Sequence, residues 1–213
     1  MSYQRLIAAF GVAVALAGPV HADTNWTGFY LGGTLGVGSG DVLQTSTFAA
    51  LRNTVSLNGA VGGAFAGYNA QHGSLVFGFE ADAMLSGIDG TLAAAPGQTC
   101  FVATADCHQA IDQIYTARAR VGVAMGDFLP FVSAGIAGAN ITQSRNPPTD
   151  VTGFETTFVA GLGVDYRVSE NFSVRAEYLT MDFGPQSRTI GTFVNTNDTG
   201  RLNVFRIGAA FHF

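Results

Sequence analysis

The sequence predicts an all-β protein in which eight antiparallel strands close into a barrel that spans a membrane. Three observations point there. The 213 residues include 28 Gly and 17 Phe, while only 12% are charged. Apolar residues recur at every second position in five separate segments. The connections between segments alternate long and short along the whole chain.

Composition removes other classes first. Glycine is about twice as frequent as the usual ~7% and lacks the strict period of collagen. A helix bundle is disfavoured, because Gly costs about 1 kcal/mol relative to Ala inside a helix. Low charge with many aromatics is the opposite of a disordered composition. All ten basic residues are Arg and the net charge is −5. That leaves no basic patch for nucleic acid, which is not expected as a partner.

Residues 1–22 read as a signal peptide. Arg5 supplies a short positive start, and Leu6 to Leu16 is apolar except for Gly11. Gly18-Pro19 breaks the run, and Val20-His21-Ala22 offers small residues where a signal peptidase reads, so cleavage is expected between Ala22 and Asp23. The run is well short of the ~18–20 residues of a membrane-spanning helix. The remaining 23–213 form one barrel domain. The chain is exported.

Each strand follows from alternation, since successive side chains on a strand point to opposite faces. Leu75, Phe77, Phe79, Ala81, Ala83 and Leu85 alternate with Val76, Gly78, Glu80, Asp82 and Met84. Tyr115 to Met125 repeats the pattern, with Arg118 and Arg120 on its second face. So do Phe158 to Tyr166, with Asp165 followed by Arg167, and Val174 to Tyr178, with Arg175 and Glu177. Phe205, Ile207, Ala209, Phe211 and Phe213 alternate with Arg206, Gly208, Ala210 and His212. Segments 26–38, 57–69 and 129–141 are Gly- and Ala-rich strands whose facing stays open. Eight strands of about 10–13 residues result.

The connections span about 39–56, 70–74, 86–112, 126–128, 142–154, 168–171 and 184–200. Antiparallel neighbours would gather the four long ones at one end and the tight turns at the other. Outer-membrane barrels carry that asymmetry, with long extracellular loops and short periplasmic turns.

A water-soluble calyx is the rival. It would place apolar residues inside and polar ones outside. Here the second face carries Glu80, Asp82, Arg118, Arg120, Asp165, Arg167, Arg175, Glu177 and Arg206, diluted by Gly and Ala rather than Lys, Ser and Thr. Balanced charge among small residues suits a crowded lumen, and the aromatic face then meets lipid. The expected pairs are Asp82 with Arg118, Glu80 with Arg120, Asp165 with Arg175, and Glu177 with Arg206. Packing and register are their simplest role, and a plug that blocks or gates a narrow pore is the alternative.

These residues resemble a family. Asn25-Trp26-Thr27-Gly28-Phe29-Tyr30-Leu31-Gly32-Gly33, just after a signal peptide, is similar to the opening strand of alphaproteobacterial outer membrane immunogenic proteins. Gly67-Tyr68-Asn69 followed by Val76-Phe77-Gly78-Phe79-Glu80-Ala81-Asp82 resembles that family's second hairpin, and Arg175-Ala176-Glu177-Tyr178 with Asp182-Phe183-Gly184 its seventh strand. Phe205, Ile207, Phe211 and the terminal Phe213 resemble the signal read by the barrel-assembly machinery. The resemblance implies an OmpA-like eight-stranded barrel in the outer membrane of a Gram-negative bacterium, without catalytic residues. Its relatives include binders of haem or host surfaces.

Candidate chemistry is sparse. Cys100 and Cys107 share the longest connection, and an oxidising compartment makes a disulfide the default. With His108 they could ligate a metal, but a fourth ligand is missing. A lipid-modifying hydrolase needs a nucleophile and base in reach. His72, His108 and His212 fall at separate places, and only His108 has acids nearby, at Asp106 and Asp112. The expectation is a non-enzymatic barrel with no cofactor, contributing to envelope structure and surface display. Its partners are outer-membrane lipid, the assembly machinery and an extracellular ligand or host surface. A narrow passive pore and ligand or haem binding through the loops are the alternatives.

Overall fold

The computed structural model describes residues 24–46, 51–92, 107–145, 151–190 and 193–213. The expected signal peptide with its expected Ala22–Asp23 cleavage junction and Cys100 lie outside them, as does the side chain of Cys107, so the expected disulfide falls outside the described residues. Among those residues every regular element is a strand: β1 Gly28–Ser46, β2 Leu51–His72, β3 Leu75–Leu92, β4 Cys107–Val123, β5 Phe128–Arg145, β6 Val151–Ser169, β7 Phe172–Asp182, β8 Pro185–Ile190 and β9 Phe193–His212.

Neighbours in sequence pair antiparallel from β1 to β7. Strand β7 pairs with β9, and β1 pairs with β9 from Tyr30↔His212 to Ser46↔Asn195, which closes the ring. Strands β7 and β8 lie end to end along β9, separated by Phe183-Gly184, so the ring has eight positions. Closure removes the free edges that an open sheet would present. At two of the tight turns Gly73 and Gly126 hold φ of 61° and 63°, a left-handed backbone that glycine adopts without a Cβ clash.

The outer face carries the aromatic and aliphatic residues. Leu35, Phe79 and Phe158 are each more than 70% exposed. Rings cluster at the short-turn end, where Phe29 meets Tyr68 and Phe128 meets Tyr166 at 4.7 Å between centroids. A soluble monomer rarely exposes an apolar patch beyond a few hundred Å², so a belt around the whole ring needs lipid. The three strands of open facing resolve the same way: Phe29, Leu31, Leu35 and Val37 point outward from β1, Tyr68 from β2, and Val132 and Ile136 from β5.

The strands run further than the alternation predicts, reaching 22 residues in β2. Much of the expected connection 39–56 is a ladder, from Ser39↔Asn58 to Ser46↔Leu51. Within 86–112 a ladder runs from Ile88↔Ile111 to Leu92↔Cys107, and within 142–154 it reaches Gln143↔Val151. Strand β8 and the start of β9 occupy 184–200. The cause is a reversal of polarity between the two faces. At this end Val42, Val55, Leu57, Ile88, Ile111 and Ile141 point inward and are buried, while Asp41, Ser56, Asp89 and Asp112 point outward. In β3 the inward face stays in step from Glu80 through Met84 to Ile88, whereas in β4 the ladder irregularity between Ile111 and Gln113 re-aims the side chains, so that the inward positions pass from Thr116 and Ile114 to Ile111 and Gln109.

Candidate functional site

The lumen is filled in three layers. In the middle, Glu80, Asp82, Asp165 and Glu177 meet Arg118, Arg120, Arg175 and Arg206, all buried. Four acids and four Arg balance. Glu80 is the hub: it lies 2.5 Å from both Arg118 and Arg175, 3.5 Å from Arg120 and 3.7 Å from Arg206. Arg118 also reaches Asp82 at 2.9 Å and Glu177 at 2.5 Å, and Asp165 takes Arg120 and Arg175 at 2.6 Å each. Neutral groups complete the shell. The Tyr30 hydroxyl donates to Glu80 at 2.9 Å, Thr116 donates to Asp82 at 2.7 Å, and Ser133 accepts from Arg118 at 3.0 Å. Charges removed from water are tolerable only when paired and hydrogen-bonded in this way.

Backbone geometry makes the room. Across one strand boundary, Glu80 faces Gly67, Arg118 faces Gly135, Arg120 faces Gly78, Arg175 faces Gly208, Glu177 faces Gly163 and Arg206 faces Gly36. A Cβ on Gly36 would sit 2.8 Å from that of Arg206, and one on Gly67 would sit 2.3 Å from the Tyr30 hydroxyl. Large charged side chains and glycines are therefore complementary halves of one packing solution in a narrow ring, which accounts for part of the glycine excess.

Two expected pairs occur in register, Asp165↔Arg175 and Glu177↔Arg206. The other two are displaced by two residues: Glu80 faces Arg118, Asp82 faces Thr116, and Arg120 faces Gly78. A slip of two keeps every side chain on its own face, so alternation does not resist it. The β6–β7 register is set by a tight turn, whereas β3 and β4 are joined through a long connection that imposes none. Arg167 departs from the expected set. It is buried, but among the described residues it makes no ion pair.

Arg167 belongs to the layer below. Its guanidinium lies over the Trp26 ring at 4.3 Å, and it donates to the carbonyls of Glu170 and Asn25. Trp26 precedes β1, is fully buried, and packs with Val76, Ala124 and Leu129 inside the short-turn mouth. Its backbone N–H donates to Gln71 at 2.8 Å, and its indole N–H reaches the Gly126 carbonyl at 3.4 Å. His212 adds an edge-on contact to Trp26 at 5.8 Å and a 2.9 Å hydrogen bond to Ser173. Sequence reasoning left Trp26 in a strand of open facing. It is the sole Trp, and only the structure places it ahead of the first strand, which starts at Gly28.

The third layer, towards the long loops, is apolar. Met84, Ile88, Ile114, Leu179, Met181 and Val204 form its base above the ion pairs. His108 stands apart on the exposed wall of β4, 3.1 Å from the Thr91 hydroxyl and 3.9 Å from Asp89. On the outer face Phe205, Ile207, Phe211 and Phe213 point away from the lumen, each about half exposed or more.

Comparison with known proteins agrees with this architecture. Residues 8–213 match the family described as outer membrane protein beta-barrel domain. A 22 kDa outer membrane protein of Rhizobium leguminosarum bv. viciae is 31% identical over 165 residues, covering 78% of this chain and 68% of the relative. The 25 kDa outer-membrane immunogenic protein of Brucella melitensis is 30% identical over 191 residues, covering 89% and 80%. Among solved structures, Neisserial surface protein A superposes with a TM-score of 0.52 at 17% identity, covering 88% of this chain and 98% of that one. OprG from Pseudomonas aeruginosa gives 0.51 at 14% identity, covering 89% and 98%. Those two likenesses concern the fold. A closed eight-position ring, a lipid-facing belt and the family match together place the chain in the outer membrane protein beta-barrel domain family, in the outer membrane of a Gram-negative bacterium.

Proposed function

We propose that the protein is a non-enzymatic, non-conducting barrel that strengthens the envelope and presents the four hairpins of its long-loop end at the cell surface. The observation that carries this reading is the filled lumen. Eight paired charges span its middle, and Trp26 with Arg167 and His212 occupies the short-turn mouth. An open pore would need water and ions to pass both layers. Each Arg in the middle would have to give up short bonds to buried carboxylates, and breaking a buried pair costs about 3–5 kcal/mol. The Brucella relatives are named immunogenic proteins, which is consistent with exposed hairpins.

Two experiments test it. The purified barrel in a planar lipid bilayer is expected to show no discrete conductance steps, and regular steps from the native protein would refute the closed reading. An epitope inserted between Pro147 and Pro148 should bind antibody on intact cells, whereas one at Asp127 should bind only after the outer membrane is opened. The reverse pattern would overturn the orientation.

A further inference from the structure

Where the lipid-facing belt stops, the outer wall turns polar on strand after strand. Towards the long loops Val37 gives way to Ser39 and Asp41, Tyr178 to Thr180 and Asp182, and Phe205 to Asn203 and Arg201. Among the described residues Phe154 on β6 is the large apolar exception. On the β4–β6 side this rim hydrogen-bonds to itself. Tyr115 and Asn140 donate to Gln113 at 2.9 and 2.8 Å, and Thr142 donates to Asp112 at 2.7 Å. The side formed by β7, β9 and β1 differs. Thr180, Asn203 and Ser39 stand in one register row, with Asp182 facing Arg201 beside them. Among the described residues Asn203 Oδ1 and Thr180 Oγ1 have no hydrogen-bond partner. Both residues are half-buried, whereas Ser39, Asp182 and Arg201 are exposed. An acceptor left unpaired is a cost that a suitably placed donor removes.

We propose that this sector docks the sugar headgroup of an outer-leaflet glycolipid, with sugar hydroxyls donating to Asn203 Oδ1 and Thr180 Oγ1. The acyl chains lie below, along Tyr178, Phe205 and Val37, which are exposed on the belt. The inference rests on the long-loop hairpins facing the cell exterior. Three features select this occupant. The patch straddles the edge of the belt, so its partner is part hydrocarbon and part headgroup. Two neutral acceptors on directly facing residues match neighbouring hydroxyls of one sugar ring, whereas a headgroup ammonium brings a single charged centre and phosphocholine no donor. Arg201 stands among Asp182 and Asp41, so no net positive charge draws a phosphodiester.

The test uses the full mature barrel folded in dodecylphosphocholine micelles, with dodecyl maltoside mixed in at constant total detergent. In NMR spectra the Asn203 side-chain amide and the Ser39 backbone amide should shift saturably at a low maltoside fraction. The side-chain amide of Asn140, already bonded to Gln113, should follow the bulk composition linearly. Read at Ser39, Asn203→Leu should raise the half-saturating fraction about three- to tenfold, the size of one neutral hydrogen bond. Thr180→Val serves if Leu disturbs β9, with a heat-dependent gel shift to verify folding. Asn140 and Asn203 responding alike, or an unchanged half-saturating fraction in a folded variant, would overturn the site. So would an equal response to a lysophosphoethanolamine of the same chain length. Orientation is decided separately by the epitope insertions, so a negative result here leaves surface display standing.

Discussion

Arg118 and Glu177 are 59 residues apart in the chain and on non-neighbouring strands, yet Arg118 Nη1 donates to Glu177 Oε1 at 2.5 Å across the lumen. Through Glu80 the same network reaches all four central Arg. Glu80→Gln keeps the shape and removes the shared charge. It should destabilise the barrel by about 3–5 kcal/mol, read as a lower urea midpoint in lipid vesicles. Arg167→Gln should cost less, about 1–2 kcal/mol, because it removes a ring contact and two hydrogen bonds to backbone carbonyls rather than ion pairs. Equal losses for the two would place Arg167 in the network after all.

Trp26 is the only tryptophan, so fluorescence reports on the short-turn mouth alone. In the folded barrel its emission should be blue-shifted, weakly quenched by acrylamide, and unaffected by brominated lipid chains. Urea should shift it to the red as the ring reaches water. Strong quenching by brominated chains would put Trp26 on the lipid side. Trp26→Ala should lower stability by about 3–5 kcal/mol, the usual range for a buried aromatic.

Adjacent glycines on β2 should differ in their tolerance of a side chain. A Cβ on Gly63 would meet the Ala83 carbonyl oxygen at 2.1 Å, a rigid backbone atom. On Gly62 the nearest group is the tip of the Leu35 side chain at 2.9 Å, which can rotate away. Gly63→Ala should therefore cost about 1–3 kcal/mol, and Gly62→Ala should stay within about 0.5 kcal/mol. Comparable refolding yields and midpoints for both would show that the lumen is looser than described.

The depth of the lipid belt can be read with arginine. Leu35 is about 71% exposed and lies within the belt, flanked by Leu31 and Val37, whereas Val168 lies beside the β6–β7 turn. Leu35→Arg should cost about 2–4 kcal/mol in a bilayer and Val168→Arg about 1 kcal/mol or less. The check is the unfolding free energy of each variant in vesicles of one lipid. A larger loss at Val168 would move the membrane boundary towards the short turns.

Much of this was legible without coordinates, and for a physical reason. Where strands cross lipid, every outward residue must be apolar and every inward one small or paired. A strict period of two therefore survives in Leu75–Leu85, Tyr115–Met125 and Phe205–Phe213. The same constraint made the buried charges readable as a set. At the long-loop end water replaces lipid, the requirement lapses, and around Ile88 and Ile111 the inward face turns apolar and the outward face polar. Polar residues such as Asp41, Ser56 and Asp89 then occupy the outward face, so these strand ends read as loops in the sequence. The β3–β4 register was also open, because two slips of two residues satisfy the same pattern and no tight turn joins those strands. Only closure of the ring decided that Arg118 faces Glu80 and Gly135, and that Trp26 folds back beneath Arg167. Those contacts join residues distant in the chain, and only the three-dimensional packing of a narrow lumen selects among them.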